Sequence, residues 1–177
     1  MTDREILYKD GDRYFGEVNS QGVISGWGTY TFKNGSVYKG SFRDGRFNGE
    51  GELFDKTNNL TITGKFVNGK AESDNCNIRY SDGSKYKGAV VENMREGEGL
   101  YEFTSTSDFQ YYEGSFRRDR FDRVGLLKFR NGSFYKGFFM EGVYHGLGEY
   151  KTPEFAYKGN FSNGYMYGEG LIAYNNG

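Results

Sequence analysis

The sequence predicts an all-β protein: one elongated, twisted antiparallel sheet of consecutive β-hairpins, with almost no helix. Three observations lead there. All 28 glycines of the 177-residue chain fall on one recurring grid, Tyr-x-Gly-x-Φ-x-x-Gly-x-x-x-Gly-x-Gly-x-Φ-x-Φ-x-x-Gly, where Φ is apolar or aromatic. The grid returns every 22 to 26 residues, and a fixed period in the twenties marks a solenoid-like array instead of a globule with one central core. Inside each repeat apolar and polar residues alternate, as in a strand with one buried face, and no segment carries a convincing 3.6-residue apolar period.

The elements follow in order. Seven repeats open at Tyr14, Tyr38, Ile62, Tyr86, Tyr112, Tyr135 and Tyr157, each with glycine two residues on. In Tyr38-Lys39-Gly40-Ser41-Phe42-Arg43 the odd and even positions separate into an apolar and a polar face, which predicts the first strand. Asp44-Gly45, Asn68-Gly69, Glu141-Gly142 and Asn163-Gly164 then predict tight turns, because both residues of such a hairpin need positive φ. Asn93 takes the glycine's place in the fourth repeat, and Asn tolerates that region best among non-glycines. A second strand follows, as in Gly97-Glu98-Gly99-Leu100-Tyr101-Glu102-Phe103, and turns such as Lys33-Asn34-Gly35 lead to the next repeat. Residues 1–177 read as one domain, with half-repeats expected at both ends: Ile6, Tyr8 and Gly11 fit the close of a preceding unit, and Asn175-Asn176-Gly177 stops at a turn.

Glycine weakens a strand, so a glycine repeated inside strands needs a reason. Aromatic packing supplies one. A ring can lie flat over a neighbouring glycine where no Cβ intrudes, each burying roughly 150–250 Å². With 16 Tyr and 16 Phe in the chain, such nesting predicts a sheet that holds without a covering helical layer.

These residues resemble the MORN (membrane occupation and recognition nexus) repeat family. YKGSFRDGRFNGEGELF in the second repeat and YKGFFMEGVYHGLGEY in the sixth are close to its pattern, and the resemblance runs from about Ile6 to Gly177. It implies the same hairpin sheet and a mostly non-catalytic role, as scaffold, cytoskeletal or ciliary component, membrane-linked adaptor or appendage of an enzyme. The chain departs from the pattern in places. The third repeat has Asp74 and Cys76 where the paired glycines belong, the fifth has Arg123 for the first of them, and Thr104–Gln110 lengthens the fourth. Phe42, Phe66, Phe116, Phe139 and Phe161 stand where the family usually has Trp.

Composition narrows the function classes. A net charge of −1 gives no bulk attraction to nucleic acid or anionic membrane. Cys76 is the only cysteine, so no internal disulfide forms and a reducing compartment is the simple expectation. The charged start MTDREILYKD has no signal-peptide pattern, and no stretch of 18 apolar residues occurs. His145, the one histidine, lies about three repeats from Cys76, which argues against a catalytic dyad. Glu50, Glu98 and Glu169 recur at one repeat position as a solvated row, and no ligand set for zinc is present. No cofactor, metal or catalytic residue is expected.

Three features remain as candidate binding sites. The rings of Tyr38, Phe42, Tyr86, Tyr112, Phe116, Tyr135, Phe139, Tyr157 and Phe161 align in rows; either they only pack the inner face, or they floor a partly open aromatic groove that receives a partner. Phe15, Trp27, Phe138 and Leu147, with Val124, break the polar pattern of the outer face and read as contact patches for a protein or a second copy, or for Phe15 as a site shielded by Met1–Leu7. Arg117, Arg118, Arg120, Arg123, Lys128 and Arg130 form a basic cluster for an acidic protein surface or an anionic headgroup, against the ordinary reading of a solvated turn. The functional expectation is a non-catalytic scaffold for other proteins, with self-association through open sheet edges. From the resemblance alone comes a cytoplasmic setting on the cytoskeleton or cilium. The alternatives are a peripheral phospholipid-binding adaptor with weak affinity for anionic membrane, or the regulatory part of a larger enzyme. Nucleic acid is not an expected partner.

Overall fold

The computed structural model describes residues 2–175; Met1, Asn176 and Gly177, and with them the closing turn expected from the sequence, lie outside the described residues. Among the described residues there are sixteen strands and no helix. The chain forms two compact bodies. The first, up to Asp82 and including Val90–Asn93, holds β1 (Thr2–Leu7), β2 (Arg13–Val18), β3 (Ile24–Thr31), β4 (Val37–Arg43), β5 (Arg46–Asp55), β6 (Leu60–Val67), β7 (Lys70–Ala71) and β8 (Ser73–Tyr80). The second, Gly83–Ala89 with the residues from Met94 onward, begins in β9 (Lys85–Val91) and holds β10 (Met94–Glu102), β11 (Phe109–Arg117), β12 (Arg120–Phe129), β13 (Phe134–Met140), β14 (Val143–Lys151), β15 (Phe155–Ser162) and β16 (Tyr165–Tyr174). Within each body the hydrogen-bonded order is chain order and the pairing antiparallel, except that β7 sits on β6 before β6 goes on to pair β8. The predicted fold class, consecutive antiparallel strands without helix, is the one found.

The turns are of the predicted kind. Asp44-Gly45, Asn68-Gly69, Glu141-Gly142 and Asn163-Gly164 all have positive φ at both residues. So do Glu92-Asn93 and Arg118-Asp119, where no glycine is present. Compensation is visible at both. The Ala71 N–H donates to Asn93 Oδ1 at 2.7 Å, and the Arg95 N–H donates to Asp119 Oδ1 at 2.9 Å. Each substituted side chain thus ties its turn to the preceding hairpin, where glycine offers only its N–H.

The glycine–ring argument holds in six repeats. A Cβ on Gly28, Gly51, Gly99, Gly125, Gly148 or Gly170 would collide with the ring or hydroxyl of Tyr14, Tyr38, Tyr86, Tyr112, Tyr135 or Tyr157 in the same repeat. A second constraint explains why the ring is tyrosine and not phenylalanine. Just beyond Gly16, Gly40, Gly114, Gly137 and Gly159 the pairing with the second strand shifts register, a bulge that takes a carbonyl out of the ladder. The tyrosine hydroxyl donates to the carbonyl three residues on: Tyr14 to Glu17 at 2.7 Å, Tyr38 to Ser41 at 3.0 Å, Tyr86 to Ala89 at 2.7 Å, Tyr112 to Ser115 at 2.8 Å, Tyr135 to Phe138 at 2.8 Å and Tyr157 to Asn160 at 3.1 Å. One side chain therefore fills the space above a glycine and satisfies the carbonyl freed at the bulge.

The third repeat solves both problems differently. Ile62 replaces the tyrosine, and Cys76, which replaces the facing glycine, is fully buried. Its thiol donates to the Thr63 carbonyl at 3.3 Å. The Lys65 carbonyl, equivalent to those the tyrosines cap, accepts the Glu72 N–H at 2.9 Å. Bulk moved from one strand to the other, and a backbone donor took over from the missing phenol. The regular pairing of β6 with β8 runs from Leu60↔Tyr80 to Thr63↔Asn77 and that with β7 resumes at Phe66↔Ala71, so the ladder is interrupted beside Asp74–Cys76, where the sequence pattern is weakest.

Adjacent repeats interlock through the Φ ring four residues after each tyrosine. Phe42 meets Tyr14 edge-on at 5.2 Å, Phe66 meets Tyr38 at 5.0 Å, Phe116 meets Tyr86 at 5.0 Å, Phe139 meets Tyr112 at 5.1 Å and Phe161 meets Tyr135 at 5.0 Å. A ring on the second strand stacks on the tyrosine of its own repeat at 3.8 Å: Phe47 on Tyr38, Phe121 on Tyr112 and Tyr144 on Tyr135.

Candidate functional site

The nine rings expected to floor an open groove do not. Tyr38, Phe42, Tyr86, Tyr112, Phe116, Tyr135, Phe139, Tyr157 and Phe161 are at most 4 % exposed, so the groove reading is corrected: these rings are the core. The edge-on and stacked neighbours just described cover them, and burial pushes the phenols of Tyr14, Tyr38 and Tyr135 up to about 12. On the inner face, the surface a partner can reach belongs to the second strands and their turns.

There the inner face carries apolar clefts at equivalent repeat positions. In the first body a cleft of about 590 Å³ is lined by Ile6, Tyr8, Ile24, Tyr30, Phe32 and Phe47, with Arg46 beside the turn glycines Gly45 and Gly69. In the second body, Phe103, Phe109, Phe121, Leu127, Val143 and Tyr144 line one of about 260 Å³, and Tyr144, Tyr150, Phe161, Tyr165 and Met166 line one of about 500 Å³. Gly164 borders both of these. The floor of each comes from the stacked ring, or its aliphatic equivalent, and a wall from a hairpin turn. The first cleft has a fixed polar neighbour. Tyr30 donates to Asp12 Oδ2 at 2.7 Å while the Lys33 N–H donates to Oδ1 at 2.8 Å. These bonds hold the Asp12 carboxyl below its ordinary range, and burial together with Asp12 raises the Tyr30 phenol.

The outer face holds the pattern-breaking residues where a partner could touch them. Phe15, Trp27, Phe138 and Leu147 are 49 % to 64 % exposed, and Val124 is also exposed. Val124 lies directly opposite Phe138 across β12 and β13, which makes them a continuous apolar pair. Phe15 pairs with Glu5 of β1 and Thr29 of β3 and stays open, so β1 does not shield it.

Three side chains of the basic cluster, those of Arg120, Lys128 and Arg130, are engaged inside the molecule. Arg120 Nη1 lies 3.1 Å from Glu141 Oε2, and at Arg118 it is the backbone N–H, not the guanidinium, that donates to Glu96 Oε2 at 2.9 Å. Arg130 donates to the carbonyls of Ser107 and Thr104 at 2.8 and 2.7 Å, pinning the extra loop of the fourth repeat. Lys128 donates to the Gly132 carbonyl at 3.0 Å and lies over the Phe134 ring. Arg117 and Arg123 border a notch of about 400 Å³ whose other walls include Glu96, Glu98 and Asp122. Three of the six side chains are thus tethered to a carboxylate or to carbonyls, and Arg117 and Arg123 stand beside the carboxylates of the notch.

Neither reactive side chain joins a site. Cys76 is buried in the first body with its thiol pushed up to about 11 by burial, far from a reactive thiolate. His145 is half-buried in the second body. Sequence reasoning missed Arg95, which occupies the stacked-ring position of the fourth repeat. Its guanidinium lies 5.8, 5.0 and 5.3 Å from the ring centres of Tyr86, Tyr101 and Phe116 and 3.1 Å from Asp119 Oδ1. The available signal was its spacing, nine residues after Tyr86, where Phe47, Phe121 and Tyr144 stand in their repeats.

A family model described as MORN repeat matches residues 14–37, 38–59, 86–107, 112–134, 135–154 and 157–177, and passes over the third repeat where Ile62 and Cys76 replace the tyrosine–glycine pair. Among curated proteins the chain is similar to Alsin from Rattus norvegicus, 29 % identical over 160 residues, which is 86 % of this chain and 9 % of that protein. The chain thus spans under a tenth of the curated relative. Among solved structures it is similar to the SAS-4 (dCPAP) TCP domain in complex with a Proline Rich Motif of Ana2 (dSTIL) of Drosophila Melanogaster, at 13 % identity and a TM-score of 0.32, over 76 % of this chain and 82 % of that one.

Proposed function

The chain belongs to the MORN repeat family, and from that premise we propose that it is a non-catalytic scaffold that binds another protein along its inner face. The observation that carries this reading is the recurrence of apolar clefts at equivalent positions of the repeat, each with a stacked ring or its aliphatic equivalent for a floor and a hairpin turn for a wall. Recurrent apolar surface of this kind serves recognition, and aromatic side chains provide large contact area at low entropic cost. The setting we propose is a cytoplasmic cytoskeletal or ciliary assembly, which rests on the family resemblance. A role as the regulatory part of a larger enzyme would leave the same clefts in use.

The test substitutes residues that line the clefts and are already exposed. Val143 is 42 % and Tyr165 78 % exposed. V143D and Y165D should keep the wild-type melting temperature and lose the partners that proximity labelling and co-purification recover with the wild type. Unchanged partner recovery would refute the inner-face reading. Flotation with anionic vesicles separates the membrane-adaptor alternative: vesicle binding that survives V143D and Y165D and falls with R117E and R123E would favour it.

A further inference from the structure

We propose that the loop of residues 104–108 is a phosphorylation site, in which a kinase esterifies Ser105 and Arg130 receives the phosphate. The loop joins β10 to β11 and is the surplus of the fourth repeat, so the pairing of those two strands does not depend on it. Four hydroxyl residues in a row, Thr104-Ser105-Thr106-Ser107, make most of it. The Ser107 N–H donates to the Thr104 carbonyl at 3.1 Å, which closes a turn with Ser105 and Thr106 at its exposed corner. Three of the hydroxyls are engaged. Those of Thr104 and Thr106 bond to each other at 3.0 Å, and that of Ser107 accepts the Phe109 N–H at 3.1 Å. The Ser105 hydroxyl has no partner among the described residues, so modifying it breaks no bond of the fold.

Charge in the flanks selects the class of enzyme. Glu102 and Asp108 stand three residues before and after Ser105, both exposed, and between Arg95 and Arg117 the chain has no Lys or Arg. A kinase with a basic substrate groove complements this segment. One that reads basic residues beside its acceptor finds none.

Arg130 supplies the reason for a phosphate here. Its backbone N–H donates to the Asp108 carbonyl at 2.9 Å, its Nε to the Ser107 carbonyl at 2.8 Å, and its Nη2 to the carbonyls of Thr104 and Phe103 at 2.7 and 3.4 Å. Every one of these acceptors is neutral. Among the described residues Arg130 forms no ion pair, whereas Arg95 and Arg120 each reach a carboxylate. The two N–H groups of its Nη1 have no protein acceptor among the described residues. The loop is therefore pinned to an exposed guanidinium that keeps its full charge and has donors to spare. The Thr104 carbonyl held by Nη2 belongs to the peptide bond that leads into Ser105. A phosphate on Ser105 adds the missing negative charge, and Nη1 can bond to it without giving up the bonds that hold the loop.

In the transfer, Ser105 Oγ attacks the γ-phosphorus of ATP held by the kinase. The Oγ–P bond forms as the bond from that phosphorus to the β,γ-bridging oxygen breaks. ADP leaves with the electron pair, and the hydroxyl proton passes to the base of the kinase. The ester carries close to two negative charges at neutral pH. Glu102 and Asp108 repel these charges and Arg130 attracts them. Hydrogen bonding decides the outcome, because the guanidinium can touch the ester and exposed carboxylates are screened. With Arg130 the phosphate tightens the loop, and without Arg130 it loosens it. Phe103 and Phe109 stand on either side of the loop, with rings 5.2 Å apart, and both line the 260 Å³ cleft. A tightened loop fixes that wall. This last consequence rests on the inner-face reading; the phosphorylation does not.

The experiment incubates the 177-residue chain with ATP and a purified acid-directed serine/threonine kinase. Tandem mass spectrometry should find one phosphate, on Ser105; D108N should slow its addition severalfold, and S105A should take none. The effect on the loop is read in protein with phosphoserine incorporated at position 105 during translation, in the wild-type background and in R130Q. Nicking by a protease of broad specificity within residues 104–108 tracks how often the loop opens. The phosphate should slow nicking roughly tenfold in the wild type and speed it in R130Q. R130Q without phosphate sets the baseline for the lost tether. A chain that takes no phosphate, addition that S105A leaves intact, or nicking that the phosphate changes alike in both backgrounds would overturn the proposal.

Discussion

The exchange at Ile62 and Cys76 can be reversed, and the outcome measures how strictly ring and glycine are coupled. In six repeats the phenol occupies the space that a Cβ on the facing strand would need. Cys76 puts both Cβ and Sγ there and is fully buried. Placing tyrosine at 62 with Cys76 kept overpacks this site, for which core insertions cost about 1–3 kcal/mol. Replacing Cys76 by glycine with Ile62 kept empties the site. Lost burial and cavity cost about 1–2 kcal/mol, and glycine in a strand adds about 0.5–1 kcal/mol. The double variant I62Y/C76G recreates the arrangement of the other repeats, with the new phenol in reach of the Lys65 carbonyl. It should be close to wild type in stability, which places it about 2.5–6 kcal/mol above the additive sum of the single variants. Urea unfolding of the four proteins at equal concentration, followed by Cm and m, measures the coupling. A coupling within about 0.5 kcal/mol of zero would show that the two positions are independent and that the account of the third repeat is wrong.

Other outcomes follow from the same geometry. Arg123 has φ +55° at a position where Gly26, Gly49, Gly97, Gly146 and Gly168 take the same left-handed backbone; R123G should therefore stabilise by about 0.5–1 kcal/mol, the strain relieved less the entropy of glycine, seen as a higher melting temperature. Y112F keeps the ring over Gly125 and strands the Ser115 carbonyl, so it should destabilise by about 1–3 kcal/mol, whereas F121Y at the stacked position should not gain a comparable bond. Tyr38 has a folded pKa of about 12 against an ordinary 10.0 because burial disfavours the phenolate. The unfolded chain thus loses this proton first, the stabilisation is complete below pH 10, and it is lost as the pH rises from 10 to 12; phenolate absorbance near 295 nm should appear together with loss of sheet signal, and phenolate formation in a still-folded sheet would contradict the burial argument.

The hairpin lattice was legible because its determinants are local. The Asn-Gly and Asp-Gly turns, the two-residue alternation and the glycines under rings sit within one period of sequence. Two things were not legible, for different reasons. Exposure of the aromatic rows depends on which rings cover which. Phe66 closes over Tyr38 from the next hairpin and Phe47 stacks on it from the second strand, so rows that looked like a groove are core, and the clefts lie one ring outward. Arg120 and Arg130 looked free because their partners lie about one repeat away in sequence: Arg120 finds Glu141 and Arg130 finds Thr104 only once the strands are in register. The hydroxyl-to-carbonyl bonds left a trace that alternation alone does not explain, namely that six openings carry tyrosine and none phenylalanine. The outward exposure of Phe15, Trp27, Phe138 and Leu147 followed directly from the polar positions they occupy.

The edge-on contact between each tyrosine and the following hairpin's phenylalanine has an evolutionary consequence. A single hairpin carries both halves of the joint, the ring that is capped behind it and the ring that caps ahead, so tandem duplication copies a connector that already fits. Lengthening or shortening such a gene by one whole period leaves every remaining joint intact, while an insertion of any other size must be looped out, as Thr104–Asp108 is beneath Arg130.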